Sequence, residues 1–170
     1  MKYEELSRIH NIVDFSDELG VYFGDPCYVY PDDRWEEFCN ANFAYEREHK
    51  PDRHHIGKIT EDSGRVWYGW STAYGDGCYA LQRSGVTVAR LGVDAGMLSA
   101  IPMSLIQEWG TESSARSLGH VLEPDHCVGP LNVDHGDMSW GNGGYEITIP
   151  TGYAAEDEDE EYDECEPSWY

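Results

Sequence analysis

Asp25 and Cys27 stand one residue apart, as do Asp76 and Cys78. Each pair is followed by a tyrosine, so that Gly24-Asp25-Pro26-Cys27-Tyr28 is echoed by Gly75-Asp76-Gly77-Cys78-Tyr79. A thiolate is a nucleophile, and Cys27 or Cys78 beside His120, His126 or His135 would make a thiol-dependent enzyme. Such a thiol needs a base or an electropositive setting to ionise, and this acidic chain offers the reverse. The carboxylates point instead to hard-cation chemistry. Asp25, Asp76, Asp94, Asp134 and Asp137 are of the right type for calcium, which takes roughly six to eight oxygens, but the sequence has no contiguous calcium-loop pattern. It also has no P-loop, dinucleotide fingerprint or Gly-x-Ser-x-Gly elbow. The plainer reading is that each Asp closes its own turn by accepting backbone N–H bonds, with the corner glycines Gly24, Gly75 and Gly77 free to take positive φ. On these grounds no catalytic residue, metal ligand or cofactor is expected. The ligand-binding candidates are Asp25, Cys27, Tyr28, Asp76, Cys78, Tyr79 and Asp94, with Arg47, Arg53 and Arg65 available to meet an anion.

The elements that must hold these residues read mostly as strands. Leu19 to Phe23 and Cys27 to Tyr30 flank the first corner, and Arg65 to Tyr74 and Cys78 to Arg83 flank the second. Ile56 to Thr60, Val86 to Val93, Met97 to Ile101, His120 to Leu122, Met138 to Trp140 and Tyr145 to Ile149 add further strands. Turns are expected at Asp62-Ser63-Gly64, Ser84-Gly85, Val93-Asp94-Ala95-Gly96, Val133-Asp134-His135-Gly136 and Gly141 to Gly144. A helix starts after Pro31 with Asp32 and Asp33 in its first turn, and Trp35, Phe38, Cys39 and Phe43 form its apolar face. Pro102 to Trp109 is a second short helix ended by Gly110. Helical spacing in Met1 to Asn11 suggests another. Tyr45 to His55, Thr111 to Gly119 and Glu123 to Leu131 read as loops. The expected fold is a β-rich α+β domain over 1–153, with antiparallel sheets forming a sandwich or partly closed barrel and two short helices packed on it. An acidic, disordered tail is expected over 154–170.

Charge narrows the partners. The formal net charge is −22. Nine of the 33 acids fall between Glu156 and Glu166 with no base among them, so the remaining 24 acids and 11 bases leave the rest of the chain at −13. Direct nucleic-acid binding is excluded as an expectation, because it depends on Lys and Arg neutralising phosphates. Anionic membranes are repelled too, and no run approaches the roughly 18 apolar residues of a bilayer span. The five cysteines have no C-x-x-C spacing and read as reduced thiols, which with the absence of a secretion signal suggests a cytoplasmic protein. A tail extended at about 3.3 Å per residue carries one charge per ~4 Å, against one per ~1.7 Å of axis in duplex DNA. Any imitation of DNA would therefore have to come from the folded face.

Three of these motifs carry a resemblance. Asp25-Pro26 after an apolar strand, the corner from Tyr74 to Tyr79, and Val93-Asp94-Ala95-Gly96 together resemble an uncharacterised group of small bacterial and phage-encoded β-rich domains of unknown function. The likeness runs over roughly Val21 to Ile101. It implies a β-rich fold and a phage or prophage origin, hence a host cytoplasmic location, and transfers no catalytic residue. The expected function is non-catalytic binding of a basic host protein surface, as an inhibitor or DNA mimic. The alternatives are a small-ligand or nucleotide-signal binder in phage counter-defence, or the thiol enzyme. The oligomeric state is left open by the sequence.

Overall fold

A computed structural model of the chain describes residues 1–6, 12–14, 17–49, 56–123, 128–134, 136–141 and 146–152. Two six-stranded antiparallel sheets face each other, and neither closes into a barrel. The first contains β1 (Lys2–Leu6), β4 (Ile56–Thr60), β5 (Val66–Ser71), β8 (Met97–Pro102), β3 (Val21–Gly24) and β9 (His120–Leu122), in that spatial order. The second runs β2 (Ile12–Asp14), β10 (Val128–Asp134), β11 (Asp137–Trp140), β12 (Ile147–Ile149), β6 (Gly77–Arg83) and β7 (Val86–Val93).

Alternation along the strands builds two cores. Phe23, Trp70, Leu98 and Ala100 of the first sheet meet Leu81, Leu91, Val133, Trp140 and Ile147 of the second. The opposite face of the first sheet, with Tyr22, Ile59, Trp67 and Ile101, is covered by Phe38 of α1 (Asp32–His49), by Met103, Leu105 and Ile106 of α2 (Met103–Trp109), and by Ala115 of α3 (Glu112–Leu118). The first sheet is thus a middle layer buried on both faces. That is why Val21-Tyr22-Phe23 and Met97 to Ile101, the latter interrupted only by the buried Ser99, do not alternate apolar with polar residues.

The β-rich α+β class and the helices on one sheet hold, while several local expectations need correction. The residues Lys2 to Leu6 form an edge strand paired with β4, because tertiary pairing overrides a weak helical spacing. The first helix continues to His49, so Tyr45 to His49, expected in a loop, are helical. Asn42, not Phe43, faces inward after Phe38, and Phe43 is left 54% exposed. Thr111 to Gly119 contains α3, a polar helix that buries only Ala115. Val128 to Leu131 belongs to β10 rather than to a loop. The segment 50–55, including Arg53, and the expected acidic tail at 154–170 lie outside the described residues.

Candidate functional site

The first Gly-Asp-x-Cys-Tyr motif does not join two strands. After β3 the chain enters a single 3-10 turn, Pro26–Tyr28, and then α1. Asp25 caps that turn, its Oδ1 accepting from the Cys27 N–H at 2.8 Å. Its other oxygen accepts from the N–H groups of Asp94 and Ala95, both at 2.7 Å. Asp25 is fully buried, and its carboxylate accepts from three backbone donors. The glycine before it is required by space rather than by φ. A Cβ on Gly24 would stand 2.3 Å from the hydroxyl of Tyr22, which itself donates to the Asp25 carbonyl.

The second copy does turn between strands, β5 to β6, but by a different device. Gly75 adopts φ +82°, and its carbonyl accepts from the hydroxyls of Thr72 at 2.6 Å and Tyr79 at 2.8 Å. Among the described residues no donor meets the Asp76 carboxylate, which is exposed. The expectation that Asp76 closes its own turn is therefore corrected, because hydroxyls three residues before and four residues after the glycine do that work.

The turn at Asp94 lies between the two corners. Its backbone binds Asp25, its carboxylate accepts from the Tyr28 hydroxyl at 2.6 Å, and the Gly96 carbonyl accepts from Thr72 N–H at 3.0 Å. A Cβ on Gly96 would stand 3.6 Å from the Gly75 Cα and 3.9 Å from Asp76 Oδ1. Asp25, Cys27, Tyr28, Asp76, Tyr79 and Asp94 thus gather at one end of the sandwich. Arg65 is elsewhere, in contact with Asp17, Glu108 and Ser104, and Arg47 is exposed in the last turns of α1. No group of three His, Cys, Asp or Glu side chains among the described residues is placed to hold a metal ion.

This end is built as a joint. Burial, then the carboxylates of Asp25, Asp94 and Asp76, push the Cys27 thiol far above the ordinary thiol range, so it carries no thiolate at neutral pH. Burial and the bond to Asp94 raise Tyr28 likewise. Cys27 and Cys39 are free thiols, but Cys78 is disulfide-bonded, which corrects the expectation of a reduced chain at that position.

His120 belongs to β9, opposite Phe23. His126 and His135 lie outside the described residues. Burial, and secondarily the Arg83 guanidinium, hold His120 below the usual histidine value of 6.5. The folded chain keeps this ring neutral while the unfolded chain protonates it first, so its contribution is complete above pH 6.5 and declines as pH falls. Urea unfolding of His120→Gln between pH ~7 and ~5 should therefore lose less stability than the parent over the same interval. An equal loss in both would show that His120 is not the group responsible.

The sequence reading missed a second polar cluster, on the helical side. Glu61, 4% exposed, accepts from Trp67 Nε1 at 2.8 Å and pairs with Arg34 at 3.2 Å. The Arg34 guanidinium lies over the rings of Tyr30 and Trp109, at 5.2 and 5.9 Å from their centroids. With that base folded inward, Asp32, Asp33, Glu36 and Glu37 are left exposed on the first turns of α1. Asp62, one residue beyond Glu61, has a side chain 88% exposed and pairs with the N-terminal ammonium of Met1. The only advance signal was a string of acids at a helix start, which the helix dipole alone accounts for.

No family model matches this chain, and no curated protein or solved structure matches it either. No helix among the described residues is long and apolar enough to cross a membrane.

Proposed function

We propose that the protein is a non-catalytic binding protein that docks the acidic first turns of α1 onto a basic protein surface, and that it is of phage or prophage origin. The observation that carries this reading is the inward fold of Arg34, which leaves Asp32, Asp33, Glu36 and Glu37 outward with no outward-turned Lys or Arg side chain among them. At about 1.5 Å of rise per residue, these four carboxylates occupy ~8 Å of helix. One charge per ~2 Å approaches duplex DNA, at ~1.7 Å. The folded face therefore reaches the density that the tail alone does not.

Phe43 lies two turns beyond Glu36 on the same side of the helix and is more than half exposed. An exposed aromatic beside carboxylates suits a protein partner, where a buried anchor supplies affinity and charge supplies steering. The gathered corner residues offer less for a small ligand, since Asp25 is occupied by backbone donors and Arg65 by acids.

The test compares the full chain with its Asp33→Lys/Glu36→Lys/Glu37→Lys variant as bait in host lysate, with bound proteins identified by mass spectrometry. A nucleic-acid-binding protein should be captured by the parent, released by duplex DNA or by ~0.5 M salt, and bound at least about tenfold more weakly by the variant. Equal capture by both baits, or capture indifferent to salt, would remove the reading.

A further inference from the structure

The polar cluster on the helical side has the parts of a cation site. Tyr30 and Trp109 stand nearly at right angles, their planes 80° apart and their centroids separated by 5.1 Å, so two ring faces form a corner. The Arg34 guanidinium lies in that corner, over both faces. Glu61 closes the third side, 4% exposed, with its Oε2 at 3.2 Å from Arg34 Nη1. Ring faces carry negative potential and attract a cation, and the buried carboxylate adds a full charge.

The walls of the corner are held without help from Arg34. Trp67 Nε1–H donates to Glu61 Oε1. The Glu61 backbone is fixed in the turn between β4 and β5, its N–H donating to the Arg65 carbonyl and its carbonyl accepting from Gly64 N–H, both at 2.8 Å. The Thr111 hydroxyl donates to the Val29 carbonyl at 2.6 Å, which ties the chain just after Trp109 to the chain just before Tyr30. The site is therefore preorganised.

Its present occupant fits it poorly. A guanidinium carries five N–H donors, and Arg34 Nη2 is buried here with no acceptor among the described residues. Glu61 Oε2 is buried too and accepts no hydrogen bond among them, its approach to Arg34 being an ion pair alone. Each unmade bond leaves the desolvation of its group uncompensated. An ammonium bearing two methyl groups would remove both faults, because its N–H meets Oε2 and its methyls lie on the rings. Arg34, whose side chain is already 33% exposed, would return to water beside Glu37, its neighbour three residues along α1.

We propose that this corner is a binding site for a methylated ammonium group, and that Arg34 is an internal stand-in displaced when the group enters. The group is a methylated lysine of a basic protein, since Asp32, Asp33, Glu36 and Glu37 on the same helix turns favour a lysine-rich segment over a free amine. That choice of source rests on the reading of α1 above, whereas the cage itself does not.

The test titrates the full chain by calorimetry with acetyl-lysine amide, with its side-chain dimethylated form, and with a short lysine-rich peptide carrying one dimethyl-lysine. The dimethyl amide should bind at least about tenfold more tightly than the unmodified amide, whose extra donors would be buried unpaired. Arg34→Ala removes the internal competitor and should bind the dimethyl amide more tightly than the parent does. Glu61→Gln, which keeps an acceptor for Trp67, and Trp109→Leu, at a half-buried ring, should each weaken it by about tenfold or more. Equal affinity for the two amides, or no change in either wall variant, overturns the cage whatever α1 binds. An Arg34→Ala chain that binds no more tightly than the parent overturns the displacement. The peptide should bind more tightly than the dimethyl amide, and Asp33→Lys/Glu36→Lys/Glu37→Lys should lose that advantage while keeping the preference for the methylated amide. A peptide that binds no better than the amide overturns the assignment to a lysine-rich partner.

Discussion

Asp25→Ala is expected to lower the unfolding free energy by about 3–5 kcal/mol, whereas Asp76→Ala should change it by less than about 0.5 kcal/mol. The two positions occupy the same place in a repeated motif, so sequence similarity alone would give them equal weight. The structure separates them. Asp25 holds the 3-10 turn and the Asp94 turn together through three backbone donors, all of which lose their acceptor when the carboxylate is removed. Asp76 is exposed and no bond in the second corner depends on it, the Gly75 carbonyl being met by Thr72 and Tyr79. Asp25→Asn should fall between, since the amide retains one acceptor oxygen and turns a donor toward donors. Urea unfolding at neutral pH, with the m-value checked for constancy, measures all three. Comparable losses at Asp25 and Asp76 would mean that the corners are equivalent after all.

The second large effect is expected at Glu61. Glu61→Leu removes the acceptor of the Trp67 indole N–H and the counter-charge of Arg34, both packed among aromatic rings, and should cost about 3–5 kcal/mol. Arg34→Met leaves a buried carboxylate still bonded to Trp67 and should cost about 2 kcal/mol, some of it from the guanidinium over Tyr30 and Trp109. The double variant should be no less stable than Glu61→Leu alone, because removing both charges leaves only the indole N–H unpaired. Additive losses in this cycle would show that the pair is not coupled.

Most of the sheet architecture was legible in the residues, for a definite reason. Val66 to Ser71, Gly77 to Arg83 and Val86 to Val93 combine β-branched and aromatic residues with glycine turns, so local preference and tertiary pairing agree. The errors fall where they disagree. Lys2 to Leu6 is polar and carries helical spacing, yet it completes the edge beside β4. Glu112 to Leu118 has almost no apolar face, so its helix left no periodic signal. Cys27 to Tyr30 looked like a strand, but Asp25 and Pro26 bend the chain into a helical turn there. The three short motifs singled out in the sequence meet at one end of the sandwich. Their roles were not legible, because a carboxylate that binds its own backbone and one that meets solvent have the same one-letter code. The Arg34 and Glu61 pairing was invisible for a related reason, since nothing in the spacing of 27 residues tells that they touch.

The strand β7 is the outermost of its sheet, and Leu81 faces Ala89 while Gln82 faces Thr87, so Val88 is an extra residue that breaks the ladder. A neighbouring copy that began to zip along this border from Val93 would lose register after a few rungs, with Val86 and Val88 splayed beyond the kink. The interruption therefore acts against stacking of molecules into fibres at high concentration, in a place where two greasy side chains would otherwise invite it.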